Sequence, residues 1–132
     1  MEKYLVVGAG ISGLAAAKLL LQKGKEVVIF DGKSDLDVAK VKKNNPQINE
    51  VEFILGELED ARIGEFTTAV LSPGVPCDLP MVNKLRDAGV AISGEIELAY
   101  SLGKYILIFI NSINYFFFFH KSVSSHFAAA AL

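Results

Sequence analysis

The chain has 132 residues, 52% of them hydrophobic and 21% charged; that suits one folded domain, or one domain and part of another, and excludes a disordered chain. A formal net charge of -2 leaves no basic excess to make nucleic acid the main partner. The single cysteine, Cys77, excludes an internal disulfide framework and a cysteine-built zinc site, and it reads as a loop thiol in a reducing cytoplasm.

From the N-terminus, Met1-Glu2-Lys3 runs into an apolar strand with no basic, apolar and small-residue triplet, so a secretory leader is not expected. Residues 4–7 (YLVV) are a continuous apolar run, the mark of a strand buried on both faces. A helix is predicted from Ile11 to Lys23, with Gly24 as its C-terminal stop. EVVIF (26–30) is a second buried strand, ending at Asp31. Two strands separated by one helix form a βαβ unit, which requires parallel pairing. A short helix is predicted over 35–45, before Pro46. Strands follow at 50–55 and 67–72, the latter closed by PGVP. Leu79, Val82, Leu85 and Arg86 lie at helical spacing, and Gly89 ends that helix. A short strand (90–93), a helix (95–103) and an apolar strand (105–110) complete the pattern. This alternation predicts an α/β protein with a doubly wound parallel sheet.

The chemistry begins at Gly8-Ala9-Gly10-Ile11-Ser12-Gly13, a G-x-G-x-x-G turn directly after a strand and opening a helix. In such turns the first glycine permits the tight bend, the second lets a ligand approach the backbone, and the third allows close packing of the helix. The helix N-terminus offers free amides to an anion. Asp31, 18 residues after Gly13, stands where an acid often holds a ribose diol in dinucleotide enzymes, the alternative being a solvated acid at a strand end. Lys33 could pair with Asp31 or with a phosphate, or simply be solvated.

A second constellation, LSPGVP (71–76), falls at the carboxyl end of a predicted strand, where ligands bind in open α/β sheets. Ser72 can donate a hydroxyl, Pro73 stiffens the turn, and Gly74 leaves room for a ligand; an ordinary Pro-Gly turn explains the same residues. In SGEIELAY (93–100), Ser93 suits a helix cap, and Glu95 and Glu97 suit the first turn. Two glutamates two apart do not share a helix face, so no catalytic carboxylate pair is expected there.

Taken in order and spacing, VVGAGISGLAAAKLLLQKG, VIFDGK, AVLSPGVP and GEIELAY resemble the N-terminal part of the Mur ligases, most closely the members that join D-glutamate to UDP-N-acetylmuramoyl-L-alanine. The resemblance covers residues 1 to about 110 and is carried chiefly by SPGVP followed by GEIELA. It implies a Rossmann-like domain that holds UDP, in a cytoplasmic step of peptidoglycan synthesis driven by ATP and Mg2+. On that basis Gly8, Gly10, Ile11, Ser12 and Gly13 would hold the UDP phosphates, with Ile11 and Ser12 in contact. Asp31, Gly32 and Lys33 would lie at the uracil, and Ser72, Pro73 and Gly74 would line the same nucleotide. Gly32 stands where the family often has a hydroxyl, so one side-chain contact is absent. Residues 1–93 are expected to form this domain, and 94–132 the start of the ATP-binding one. The partner implied is UDP-N-acetylmuramoyl-L-alanine, bound by a monomer, with D-glutamate joining only in the full-length family.

The resemblance breaks where the family has a G-T-N-G-K phosphate loop followed by Thr or Ser. Here the positions read Asn111, Ser112, Ile113, Asn114, Tyr115 and Phe116. Without the glycines, the lysine and the metal-binding hydroxyl, no ATP or Mg2+ is expected to bind. The phenylalanines at 116–119 and alanines at 128–131 belong to another compositional regime, as expected of a truncated or frame-shifted ligase without activity. The apolar stretch 105–119 spans 15 residues and is interrupted by Asn111, Ser112 and Asn114, against the roughly 20 of a spanning helix. His120 and His126, six apart, define no helical metal face. Two other readings stay open: an NAD- or FAD-binding oxidoreductase module resting on the glycine turn and Asp31, and a membrane-associated remnant held by the tail.

Overall fold

The computed structural model of the chain describes residues 2–94. The helix expected over 95–103, the strand over 105–110 and the residues of the altered phosphate loop lie outside the described residues. Within them the order is β1 (Lys3–Val7), α1 (Ile11–Gln22), β2 (Glu26–Asp31), α2 (Val38–Asn44), a 3-10 turn (Pro46–Ile48), β3 (Glu52–Leu55), α3 (Asp60–Ile63), β4 (Thr68–Leu71), α4 (Pro80–Asp87) and β5 (Ala91–Gly94).

The five strands form one parallel sheet in the order β3-β2-β1-β4-β5. Leu5 is paired with Val28 on one side and Ala69 on the other. The chain winds outward from β1 through β2 to β3, then returns to lay β4 on the opposite flank of β1. That reversal opens a crevice at the carboxyl ends of β1 and β4.

Both faces of the sheet are buried, which explains the continuous apolar runs. Val6, Val27, Ile29 and Val70 pack with Ala16, Ala17, Leu19 and Leu20 of α1 and with Ile48. Their neighbours Leu5, Val7, Val28, Phe30, Ala69 and Leu71 face the other way, onto Ile63, Phe66, Val82, Leu85 and Val90. Successive strand residues thus serve opposite layers. In α1 the buried residues are Gly13, Ala16, Ala17, Leu19 and Leu20, and the first three are small enough to let the helix lie close to the sheet.

Glycines end two helices as their positions suggest. Gly24 has φ +74°, with Gly24 N–H donating to the Leu21 carbonyl and Lys25 N–H to the Leu20 carbonyl. Gly89 has φ +86°, with Val90 N–H returning to the Leu85 carbonyl. Both are Schellman caps, which need a left-handed residue at the stop. The predicted helix over 35–45 is shorter, because the Asp37 carboxylate caps it by accepting the Lys40 N–H, leaving Asp35 and Leu36 outside. The one-turn α3 escapes sequence reading, since four residues show no periodicity.

At the opposite, amino end of the strands, Lys3 pairs with Glu65 and Glu26, while Arg62 bridges Glu52 and Glu65. Hydrogen bonds from Arg62 and then Lys3 pull the Glu65 carboxyl down to about 2. The Arg62 hydrogen bond lowers Glu52, and the Glu65 hydrogen bond raises Lys3. These charges fasten α3 to the strand starts, far from the crevice. Among the described residues, no helix is long and apolar enough to cross a membrane.

Candidate functional site

β1 delivers the glycine turn to the crevice, β2 delivers Asp31, and β4 delivers Ser72, Pro73 and Gly74. The three glycines have different physical tasks. Gly8 adopts φ +110°, and a Cβ there would stand 2.7 Å from the Ser72 Oγ. At Gly13 a Cβ would stand 1.8 Å from the Gly8 carbonyl oxygen. Gly13 is closed to a side chain by the turn itself, and Gly8 by its left-handed backbone and by Ser72 at the end of β4. Gly10 has an ordinary extended backbone, φ -78° and ψ -173°, and a Cβ would meet nothing within 4 Å. Nothing in the fold requires a glycine at 10, and its bare face opens outward.

The amides divide in the same way. Gly8 N–H donates to the Phe30 carbonyl at 2.7 Å, and Ala9 N–H donates to Asp31 Oδ2 at 2.9 Å. Gly10 is the N-cap, and its carbonyl accepts the Leu14 N–H at 2.9 Å. The first-turn amides of Ile11, Ser12 and Gly13 therefore have no carbonyl within the helix to meet. They point out of the N-terminus of α1, where the helix dipole favours an anion. Ile11 beside them is 78% exposed, an unusual position for a large apolar side chain.

Asp31 ends β2 beside this turn. Its second oxygen, Oδ1, accepts the Lys33 N–H at 2.9 Å. Lys33 thus meets Asp31 through its backbone amide, and its side chain is exposed. The Asp31 carbonyl accepts the Gly56 N–H at 2.8 Å, tying in the loop after β3. A Cβ on Gly32 would enter open space.

On the β4 side, Ser72 N–H extends the ladder to the Val7 carbonyl at 3.1 Å. Val75 N–H returns to the Ser72 carbonyl at 2.9 Å, closing a turn with Pro73 and Gly74 at its exposed corner. The Ser72 hydroxyl is enclosed under the glycine turn and has no hydrogen-bond partner among the described residues. It packs against Gly8 and Gly13 instead of facing solvent. Sequence reasoning missed Ala9, which enters through its amide and carries no side-chain signal, and Val75, whose methyl lies beneath Gly8.

Comparison with known proteins shows the family and the fold. Residues 2–94 match the family model of the Mur ligase MurD-like N-terminal domain. The chain is 40% identical over 113 residues to the UDP-N-acetylmuramoylalanine--D-glutamate ligase of Lachnospira eligens, covering 86% of this chain and 25% of that protein. It is 41% identical over 103 residues to the ligase of the same name from Lachnoclostridium phytofermentans, covering 78% and 23%. The chain thus spans about a quarter of the length of the curated relatives it matches. Among solved structures it superposes on a pseudomurein peptide ligase type C from Methanothermus fervidus with a TM-score of 0.62 at 18% identity, over 79% of this chain and 21% of that one, a likeness of fold.

Proposed function

This chain belongs to the Mur ligase MurD-like N-terminal domain family, and from that premise we propose that it binds UDP-N-acetylmuramoyl-L-alanine by its UDP end. The observation that carries the reading is Gly10. A glycine that the fold does not need stands open at a helix N-terminus whose first amides are free. A diphosphate answers both features, because it needs close backbone approach and several N–H donors. Ile11 and Ser12 then contact the phosphates, Gly32 and Lys33 border the uracil with the Asp31 carboxylate turned onto the backbone behind them, and Pro73 and Gly74 line the nucleotide from β4. Ser72 supports that wall from beneath. The domain is residues 1–93, acting as a monomer in a cytoplasmic step of peptidoglycan synthesis.

In this family reading D-glutamate is added at the expense of ATP, with Mg2+. Asn111 to Phe116, where the ATP loop would fall, offer neither the glycines, the lysine nor the metal-binding hydroxyl, so the donor set does not fit the group. The chain is therefore a binding domain without ligase turnover. Calorimetric titration tests the binding: UDP and its muramoyl-alanine conjugate should bind, and NADH should not. NADH binding without a UDP response would overturn the reading in favour of a dinucleotide module. D-glutamate-dependent ADP release would overturn the lack of turnover.

A further inference from the structure

We propose that Asp31 is a positioning residue for the phosphate turn, acting through the Gly8–Ala9 peptide and not by touching the ligand; this rests on the reading of that turn as a phosphate site. Ala9 N–H and the Gly8 carbonyl belong to one trans peptide plane, so they point in opposite directions. Asp31 Oδ2 draws the N–H towards β2 at 2.9 Å. The carbonyl is thereby aimed at α1, where only the missing Cβ of Gly13 leaves it space. With Gly8 N–H held by Phe30, two successive amides are tied to β2. From these two anchors the chain passes through Gly10 into α1, whose first amides are those of Ile11, Ser12 and Gly13. Oδ1 and the Asp31 carbonyl hold Lys33 and Gly56 in the same way, so one residue gathers the loops after β1, β2 and β3. A carboxylate suits this task because its hydrogen bonds to N–H groups are charge-assisted and it accepts at both oxygens.

Positioning by Asp31 and its bare charge have opposite effects on ligand binding. A carboxylate close to a diphosphate repels it, so Asp31→Asn should tighten binding if charge alone mattered. A positioning residue predicts weaker binding, since the amide of Asn keeps one acceptor and loses the other.

The test uses the full chain, with UDP and inorganic pyrophosphate as calorimetric probes and amide exchange by NMR. Asp31→Asn should weaken both probes by the same factor, about tenfold, the equivalent of one charge-assisted hydrogen bond. The Ala9 amide should also exchange faster, while core amides such as those of Val6 and Ile29 stay protected. Loss of UDP binding with pyrophosphate unchanged would mean direct contact with base or ribose and would overturn the proposal, as would tighter binding of either probe. If Asp31→Asn does not fold, wild-type exchange decides: an Ala9 amide as labile as an open turn amide overturns it. Wild-type chain that binds neither probe overturns the phosphate reading itself, an outcome that the exchange measurement keeps distinct.

Discussion

Gly13→Ala should damage the fold, whereas Gly10→Ala should damage binding and leave the fold. At 13 the new methyl would stand 1.8 Å from the Gly8 carbonyl oxygen, against the 3.0 Å below which Cβ atoms essentially never come. The carbonyl must retreat by about 1.2 Å, the difference of those two distances. It cannot move alone, because its peptide plane carries the Ala9 N–H held by Asp31. Overpacking of this kind together with a strained charge-assisted hydrogen bond costs about 3 kcal/mol. For a domain of this size that corresponds to a fall in Tm of roughly 12–24 °C. At Gly10 the methyl enters open space on an extended backbone, and the cost is the modest preference for glycine over alanine at an N-cap, below about 1 kcal/mol. Thermal unfolding followed by circular dichroism measures both variants, and UDP calorimetry on Gly10→Ala measures the site. Gly13→Ala melting within about 3 °C of the parent would refute the close approach. Gly10→Ala binding UDP as the parent does would refute the role of the open face.

Leu20→Ala empties a fully buried position between α1 and the sheet, and should cost about 2–5 kcal/mol in denaturant unfolding; a loss below 1 kcal/mol would contradict the packing described. Ser72→Ala removes an enclosed hydroxyl without a partner, so stability should stay level or rise by up to about 1 kcal/mol. A clear loss of stability would reveal a hydrogen bond to Ser72 that the geometry does not contain. Glu65 has a carboxyl held at about 2, against an ordinary 4.5. Its stabilising contribution is complete above pH 4.5 and is lost as pH falls through 2, because in that window the unfolded chain binds the proton that the folded one refuses. Denaturation midpoints measured against pH should therefore decline less steeply between those limits in Glu65→Gln than in the parent, and parallel profiles would refute the pairing with Arg62 and Lys3.

Much of the fold was legible in the chain because its determinants are local. Apolar runs such as VVIF (27–30) mark strands buried on both sides, and the two-residue alternation later divides them between the layers. Gly24 and Gly89 announce helix ends because almost no other residue accepts φ near +80° without strain. The glycine turn was recognisable for the same reason, since its spacing reflects steric limits within six consecutive residues. Helix α3 was not legible, being a single turn held by Arg62 and by the burial of Ile63 rather than by any pattern of its own.

What only the tertiary structure decided is who meets whom across the sheet. The βαβ pattern pairs β1 with β2, but nothing local states that β4 takes the other side of β1. That pairing puts Ser72 beneath Gly8 and Gly13, converting a residue that reads as a ligand donor into part of the turn's floor. The assembled sheet also directs the Asp31 carboxylate onto backbone amides, where the motif alone suggests a ribose. The physical reason is common to both. Local sterics and periodicity are properties of a short segment, whereas the partner of a polar side chain depends on contacts made by distant segments only after the sheet has assembled.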